Sequence, residues 1–303
     1  MNITAVGEIL FDIYPGRKNL GGAPFNFLYH ITKLKGSGNF VSSVGDDEFG
    51  NEILNFMEKN NINKKYVQLN NEHPTGKAVA NLDAKKVPHW EIKTETAYDF
   101  ISTSPELNNL IENETDCLYF GTLARRSSVS RETIESLFNR KSIKYFCDLN
   151  IRQDFYDKEI IEKSLQTANV LKLNIDELKL VNDILINRPF EIVPLAEYIL
   201  QIYKIDLLCI TSGEEGAYLV SLKELNHYKK NIEKVIDTVG AGDAFAAILC
   251  VGYLSGWNIE KINRFASEFA SEIVMIEGAL PKDESIYQKF KEKFKDGNEK
   301  NTK

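Results

Sequence analysis

The stretch Asp237-Thr238-Val239-Gly240-Ala241-Gly242-Asp243-Ala244-Phe245 sets two glycines and a carboxylate in a tight turn that opens an apolar helix. Glycine lets the backbone approach a ligand closely, and the first free N–H groups of a helix attract anions. Asp243 stands at the edge of that nest, where it can take a proton from an attacking hydroxyl. Two plainer readings compete: a helix N-cap at Asp243, or a loop closure without chemistry. The flanking Asp237 and Asp243 argue for chemistry, since two acids beside an anion nest repel the anion unless a cation or a proton transfer employs them. A dinucleotide fingerprint is excluded, because Phe245 occupies the last position of G-x-G-x-x-G/A. The phosphate-loop pattern G-x-x-x-x-G-K-[ST] occurs nowhere in the chain.

Upstream of this turn, short apolar runs alternate with longer amphipathic ones, the pattern of βαβ units around a parallel sheet. The runs predict strands at Ile3–Val6, Asn39–Val44, Cys117–Phe120, Lys144–Asp148, Val170–Leu173 and Leu207–Thr211. Helices are predicted at Phe25–Lys35, Gly50–Asn60, Arg131–Asn139, Lys158–Thr167, Leu195–Tyr203, Asp243–Leu254, Ile259–Met275 and Ile286–Phe294. The fold class is therefore α/β, a doubly wound and mainly parallel sheet flanked by helices. Each predicted strand ends in glycine or polar residues, such as Gly7-Glu8, Asp148-Leu149-Asn150 and Thr211-Ser212-Gly213. Open α/β sheets bind ligands at the carboxyl ends of their strands, so these tips are expected to share one crevice. Two segments, at about 9–24 and 75–100, break the alternation and read as short strands and turns. They suggest a small β-sheet lid over the crevice, or a surface hairpin without a role, with Lys85-Lys86 at a hairpin tip.

The bulk composition agrees with one domain spanning 1–303, ending in a disordered polar tail at 296–303. At 303 residues and 43% hydrophobic composition, the chain can bury a large core. Its 37 basic and 44 acidic residues give a net charge of -7, which argues against nucleic acid as a main partner. Cys117, Cys147, Cys209 and Cys250 are widely spaced in apolar runs, as expected of reduced thiols in a cytoplasmic protein. No signal-like leader and no stretch of 18 apolar residues is present, so no membrane association is expected. The four histidines share no metal-binding spacing.

Taken together in their order, several motifs resemble the ribokinase-like (PfkB) carbohydrate kinases, with fructokinase-like members the most similar. They are Gly7-Glu8-Ile9-Leu10-Phe11-Asp12, Gly21-Gly22-Ala23-Pro24-Phe25-Asn26, Val44-Gly45-Asp46-Asp47-Glu48-Phe49-Gly50, Pro74-Thr75-Gly76, Asp148-Leu149-Asn150-Ile151-Arg152, Leu171-Lys172-Leu173-Asn174-Ile175-Asp176-Glu177-Leu178, Thr211-Ser212-Gly213-Glu214-Glu215-Gly216 and the Asp237–Asp243 loop. The resemblance implies that Asp243 is the catalytic base and that the N–H groups of Gly240, Ala241 and Gly242 form an anion hole for a transferring γ-phosphate. It assigns Asp12, Gly22, Asn26 and Arg152 to the sugar, although Asp12 also reads as a turn acid and Asn26 as a helix cap. It assigns Asn174, Glu177, Thr211, Gly213 and Gly216 to ATP and Mg²⁺, and the helix Asn263–Ala270 to an adenine wall. Asn174 and Glu177 read equally well as a capping box, and the two roles are compatible. Asp237 and Val239 match a monovalent-cation loop, so K⁺ is a candidate cofactor. Tyr98 and Phe100 either close one side of the sugar pocket or pack. Asp46-Asp47-Glu48 reads as a solvated turn.

The expected function is ATP-dependent phosphorylation of a small sugar hydroxyl, most simply that of D-fructose. Ribose, 2-keto-3-deoxygluconate, a nucleoside, or a silent sensor on the same fold are the alternatives. Pairing of lid sheets between two copies would make a homodimer.

Overall fold

In a computed structural model that describes residues 1–82, 88–232 and 234–299, the chain forms thirteen strands and ten α-helices. The strands are β1 (Ile3–Val6), β2 (Leu10–Tyr14), β3 (Arg17–Gly21), β4 (Asn39–Gly45), β5 (Val67–Asn70), β6 (Gly76–Leu82), β7 (Pro88–Ile92), β8 (Cys117–Phe120), β9 (Lys144–Asp148), β10 (Val170–Asn174), β11 (Leu207–Thr211), β12 (Ala217–Val220) and β13 (Leu225–Tyr228). The helices are α1 (Ala23–Lys35), α2 (Glu48–Lys59), α3 (Pro105–Asn113), α4 (Ser128–Ser136), α5 (Lys158–Thr167), α6 (Ile175–Val181), α7 (Ile192–Tyr203), α8 (Ala241–Leu254), α9 (Ile259–Ile273) and α10 (Ser285–Glu299). Helix α10 runs through Glu299, further than the polar composition suggests, and the remainder of the expected tail, 300–303, lies outside the described residues. Lys85 and Lys86 lie outside them as well.

All six predicted strands join one nine-stranded sheet of order β13-β12-β11-β10-β9-β8-β1-β4-β5. From β5 to β11 every neighbouring pair is parallel, while β12 and β13 add an antiparallel edge. The central strands are buried on both faces, which is why their sequences are continuous apolar runs. Their residues nonetheless alternate between two cores. Ile3, Ala5, Cys117, Tyr119, Phe146 and Cys209 face the core shared with α1, α8 and α9, while Val6, Leu118, Phe120, Cys147, Leu171 and Leu208 face the core shared with α5 and α7. From β1 the chain winds outward to β4 and β5, then returns to the other side of β1 as β8. The crevice between β1 and β8 is thus the point at which strand order reverses, where open α/β sheets place their ligands.

The two segments that broke the alternation form a second sheet of order β3-β2-β6-β7, parallel between β2 and β6 and antiparallel elsewhere. Asp47 fastens this sheet to the large one. The Asp47 carboxylate accepts bonds from Gly50 N at 2.8 Å, Thr75 N at 2.9 Å and Thr75 Oγ1 at 2.7 Å. It therefore caps α2 and holds the residue that precedes β6, which corrects the reading of Asp46-Asp47-Glu48 as a merely solvated turn. Partial burial pushes its pKa upward, but the Thr75 and Gly50 donors outweigh this and leave it below the ordinary value. A carboxyl with a lowered folded-state pKa contributes stability above the unfolded value of about 4, lost as pH falls through the folded one. Asp47→Ala is expected to cost about 2 kcal/mol at pH 7, as lost caps and charged hydrogen bonds do, with the difference from wild type shrinking below about pH 4. Urea unfolding at the two pH values measures both.

Candidate active site

The N-terminus of α8 opens from Gly240, whose φ of 80° is in the left-handed region that favours glycine. A side chain there would also strike the Ala279 Cα at 2.6 Å, so this glycine lets the turn lie against the loop that follows α9. Among the described residues, no carbonyl takes the N–H of Gly240 or Gly242, whereas Ala241 N makes a long 3.4 Å bond to Thr238 O. Two of the three predicted anion-hole donors are therefore uncommitted, and the third is lightly held by its own turn. Asp237 braces the loop, its two oxygens accepting from Val239 N at 3.0 Å and Gly278 N at 3.1 Å. This carboxylate is spent on backbone donors, and the lone pairs it keeps, with nearby backbone carbonyls, are the groups a monovalent cation would use.

Asp243 lies in the first turn of α8 and accepts a 2.8 Å bond from Asn26 Nδ2. Asn26 is not a cap: it lies inside α1, its N–H bonded to Gly22 O, and it is 3% exposed. Gly22 is the cap residue, with φ 106°, and a side chain on it would meet Glu8 O at 2.6 Å. Burial, and then the neighbouring Asp148 carboxylate, raise the Asp243 pKa to about 6 against the opposing pull of Asn26, Lys172 and Arg152. One face of Asp243 remains open to the cleft. Asp12, on β2, is raised to about 6 by burial, partly offset by Arg152. Arg152 is exposed and reaches the same cleft, its charge favouring the ionised forms of Glu8, Asp12 and Asp243 alike.

Beneath these groups Lys172 Nζ bonds both oxygens of Asp148 at 2.9 Å, and Tyr119 Oη donates to Asp148 Oδ2 at 3.2 Å. The pair is buried, with side chains 8% and 3% exposed, and Tyr119 is stacked on Phe27 at 3.9 Å. Bidentate pairing meets the requirement that buried charges be compensated. Gly242 has the Lys172 ammonium 3.4 Å from where its Cβ would stand, so the cation abuts the start of α8.

At the other end of the cleft, Asn174 and Glu177 form a capping box that starts α6, with Asn174 N to Glu177 Oε2 and Glu177 N to Asn174 Oδ1 both at 2.8 Å. Glu177 Oε1 also accepts from Ile151 N at 2.7 Å. Burial raises the Glu177 pKa, yet its carboxylate lines the cavity. Among the described residues no group of three His, Cys, Asp or Glu is arranged to hold a metal. Thr211 lines the cavity too. Gly213 and Gly216, with φ of 52° and 89°, make the turn from β11 to β12 beyond it. Asn263 is spent on structure, its Nδ2 donating to Ala217 O at 2.9 Å and Asn226 Oδ1 at 2.8 Å.

The cleft has a volume of about 560 Å³ and brings together Asp12, Gly22, Asn26, Arg152, Asn174, Glu177, Thr211, Val239, Gly240, Gly242 and Asp243. Ala241, Gly213, Gly216 and Asp237 stand outside its lining. Tyr98 is fully buried against Gly76 and Phe100 stacks on His73 at 3.5 Å, so both pack rather than wall the cavity. Sequence reasoning gave no role to Glu8, Lys172 or Tyr119, nor to Trp90 and Gln153, although Glu8 and Lys172 were within quoted motifs. A charged residue inside or just after an apolar strand, as at Lys172 and Glu8, is the signal that could have found them.

Residues 15–285 match the model of the pfkB family carbohydrate kinases. The chain is 26% identical over 315 residues to an uncharacterized sugar kinase of Pyrococcus horikoshii, with 96% of each covered. The solved structure of that protein with ATP superposes at a TM-score of 0.76, 23% identical and covering 92% of this chain and 94% of the other. Fructokinase of Salmonella typhimurium is 25% identical over 265 residues, 81% of this chain and 82% of its own. A fructokinase double mutant of Vibrio cholerae O395, solved with fructose, ADP and potassium ion, superposes at 0.76 with 20% identity over 95% of this chain and 97% of that one. The family match runs from the turn between β2 and β3 to the first residue of α10, most of both sheets, and this chain belongs to the pfkB family of carbohydrate kinases.

Proposed function

We propose that the protein transfers the γ-phosphate of ATP to a hydroxyl of a small sugar, D-fructose being the leading acceptor. The observation that carries this is the meeting, in one cleft, of two uncommitted helix-start N–H groups with an Asp243 carboxylate anchored by Asn26. Asp243 removes the hydroxyl proton, the freed oxygen bonds to the γ-phosphorus, and the bond to the bridging oxygen breaks to release ADP. With its pKa near 6, Asp243 is ionised at neutral pH yet basic enough to accept the proton. The Gly240 and Gly242 N–H groups, aided by Ala241, stabilise the phosphoryl oxygens as charge spreads over them.

Asp12, Gly22, Asn26 and Arg152 hold the sugar in this reading. Asn174 and Glu177 would hold Mg²⁺ through its water, and the ion would supply positive charge against phosphate in an acidic cleft. Thr211 and the Gly213–Gly216 turn lie along the nucleotide, and the loop of Asp237 and Val239 receives K⁺. The smaller sheet serves as a lid that excludes water. The acceptor is identified by ADP release across hexoses, pentoses, nucleosides and 2-keto-3-deoxygluconate with Mg²⁺, with and without K⁺. Fructose should lead the panel, and silence with every acceptor would favour a sensor.

Asp243→Asn separates catalysis from folding. It is expected to lower kcat by about 10²–10⁴ while still binding nucleotide and sugar, as loss of a positioned base does. Its stability should move the other way. A carboxyl whose folded-state pKa is raised opposes folding above that pKa and has no effect below its unfolded value. The variant should therefore gain on the order of 1 kcal/mol at pH 8, reduced from the full linkage value because one face of the group is solvated, and nothing at pH 4. Melting curves at the two pH values, beside ADP-release rates, check both halves; near-normal turnover would defeat the assignment of the base.

A further inference from the structure

Glu8 follows β1 at the reversal point of the large sheet, is 2% exposed, and lines the same cleft as Asp243, Asp12 and Arg152. Among the described residues its Oε2 has no hydrogen-bond partner. A buried acceptor left unmade is costly, and native structures tolerate few without a reason. A glutamate kept for the fold alone would close on a cation, as Asp148 does on Lys172 and Asp99 on Arg126. Glu8 does not, although Arg152 beyond β9 and Arg126 before α4 are both near enough to favour its charge. The other titratable groups that feel it are Asp243 on α8 and the Tyr98 and Tyr119 phenols. Burial raises its pKa to about 7, so near neutrality it both accepts and donates, as a partner for hydroxyl groups must.

The charges around it narrow the ligand. Glu8, Asp12, Asp148, Asp243 and Glu177 line the cleft against two cations, of which Lys172 is consumed by Asp148. Arg152 alone remains for a ligand's negative charge at the acceptor end. An acceptor that brought its own carboxylate would meet Glu8, Asp12 and Asp243 at close quarters, and like charges reject a wrong ligand more sharply than a good contact favours the right one. Resting on the kinase reading of the cleft, we propose that Glu8 Oε2 binds a hydroxyl of the acceptor and makes the site select neutral polyhydroxy sugars over sugar acids.

The test measures ADP release by the full chain with fructose, ribose, inosine and 2-keto-3-deoxygluconate, for wild type, Glu8→Gln and Glu8→Asp. Melting curves and ATP binding report folding. Wild type should favour a neutral acceptor over the sugar acid at least about tenfold in kcat/KM. Glu8→Gln should lose about 10–100-fold in kcat/KM for that neutral acceptor, the range for a hydrogen bond to a charged group, mostly through its KM and with KM for ATP unchanged. The preference over the acid should narrow in the same variant. Glu8→Asp keeps the carboxyl group but shortens the reach, and should show the same loss in acceptor KM even if the glutamine variant fails to fold. A folded variant with unchanged acceptor KM, or a wild type that prefers the sugar acid, overturns the proposal while leaving the kinase reading intact. Absence of turnover with every acceptor overturns both.

Discussion

The 2.8 Å bond from Asn26 to Asp243 joins the first turns of α1 and α8, and most of the site is arranged around it. Each helix starts on a glycine with positive φ, Gly22 and Gly240, and each glycine lies where backbone or a neighbouring loop would exclude a side chain. The two helices also pack on each other beneath the sheet, with Phe25, Phe27 and Leu28 in the core that holds Phe245, Ile248 and Leu249. A rigid apolar contact therefore fixes the relative position of two polar helix starts. Preorganisation of this kind is what electrostatic catalysis needs, since the donors incur no further reorganisation when charge develops.

That arrangement places carboxyl groups where the proposed reaction would bring phosphate, an apparent contradiction in a chain of net charge -7. Local chemistry resolves it in three ways. Asp148 is neutralised by Lys172, Asp237 is spent on Val239 and Gly278 N–H groups, and burial moves Glu8, Asp12 and Asp243 toward neutrality. Of the acids that remain responsive, Asp243 stands in the first turn of α8 beside the uncommitted N–H groups, so donor and carboxylate meet at one helix start although the protein as a whole is acidic.

Most of this was legible in the chain because each part leaves a local mark. β1, β8, β9 and β11 were read residue for residue, since a strand buried on both faces is a continuous apolar run bounded by polar residues. The helix starts at Gly240 and Asn174 were visible as turn and capping patterns. Strand β5 was missed because its pattern is half-exposed, and α3 because it buries only three residues behind its Ser104 cap. On the antiparallel edge β13 carries exposed and intermediate residues that look like loop, while β12 is a mostly buried apolar run of only four residues directly after the Gly213–Gly216 turn. The site's pairings were invisible for a different reason: Asn26 to Asp243 spans 217 residues and Lys172 to Asp148 spans 24, and only the finished sheet brings them together.

The segment after β9 shows how far such long-range closure goes. Asn150 and Gln153 both line the cleft in the left-handed region, with φ of 43° and 49°, a strain of about 1–3 kcal/mol each that surrounding structure must hold. The holding contacts point in opposite directions. Ile151 N donates to Glu177 at the nucleotide end, while Gln153 Nε2 donates to Trp90 O on β7 of the smaller sheet at 2.6 Å. Arg152 stands between these anchors and faces the three acids of the acceptor end. The backbone that carries Arg152 is therefore bonded on one side to Glu177 and on the other to the smaller sheet. One loop, with two left-handed residues, thus contacts both α6 and the smaller sheet across the cleft.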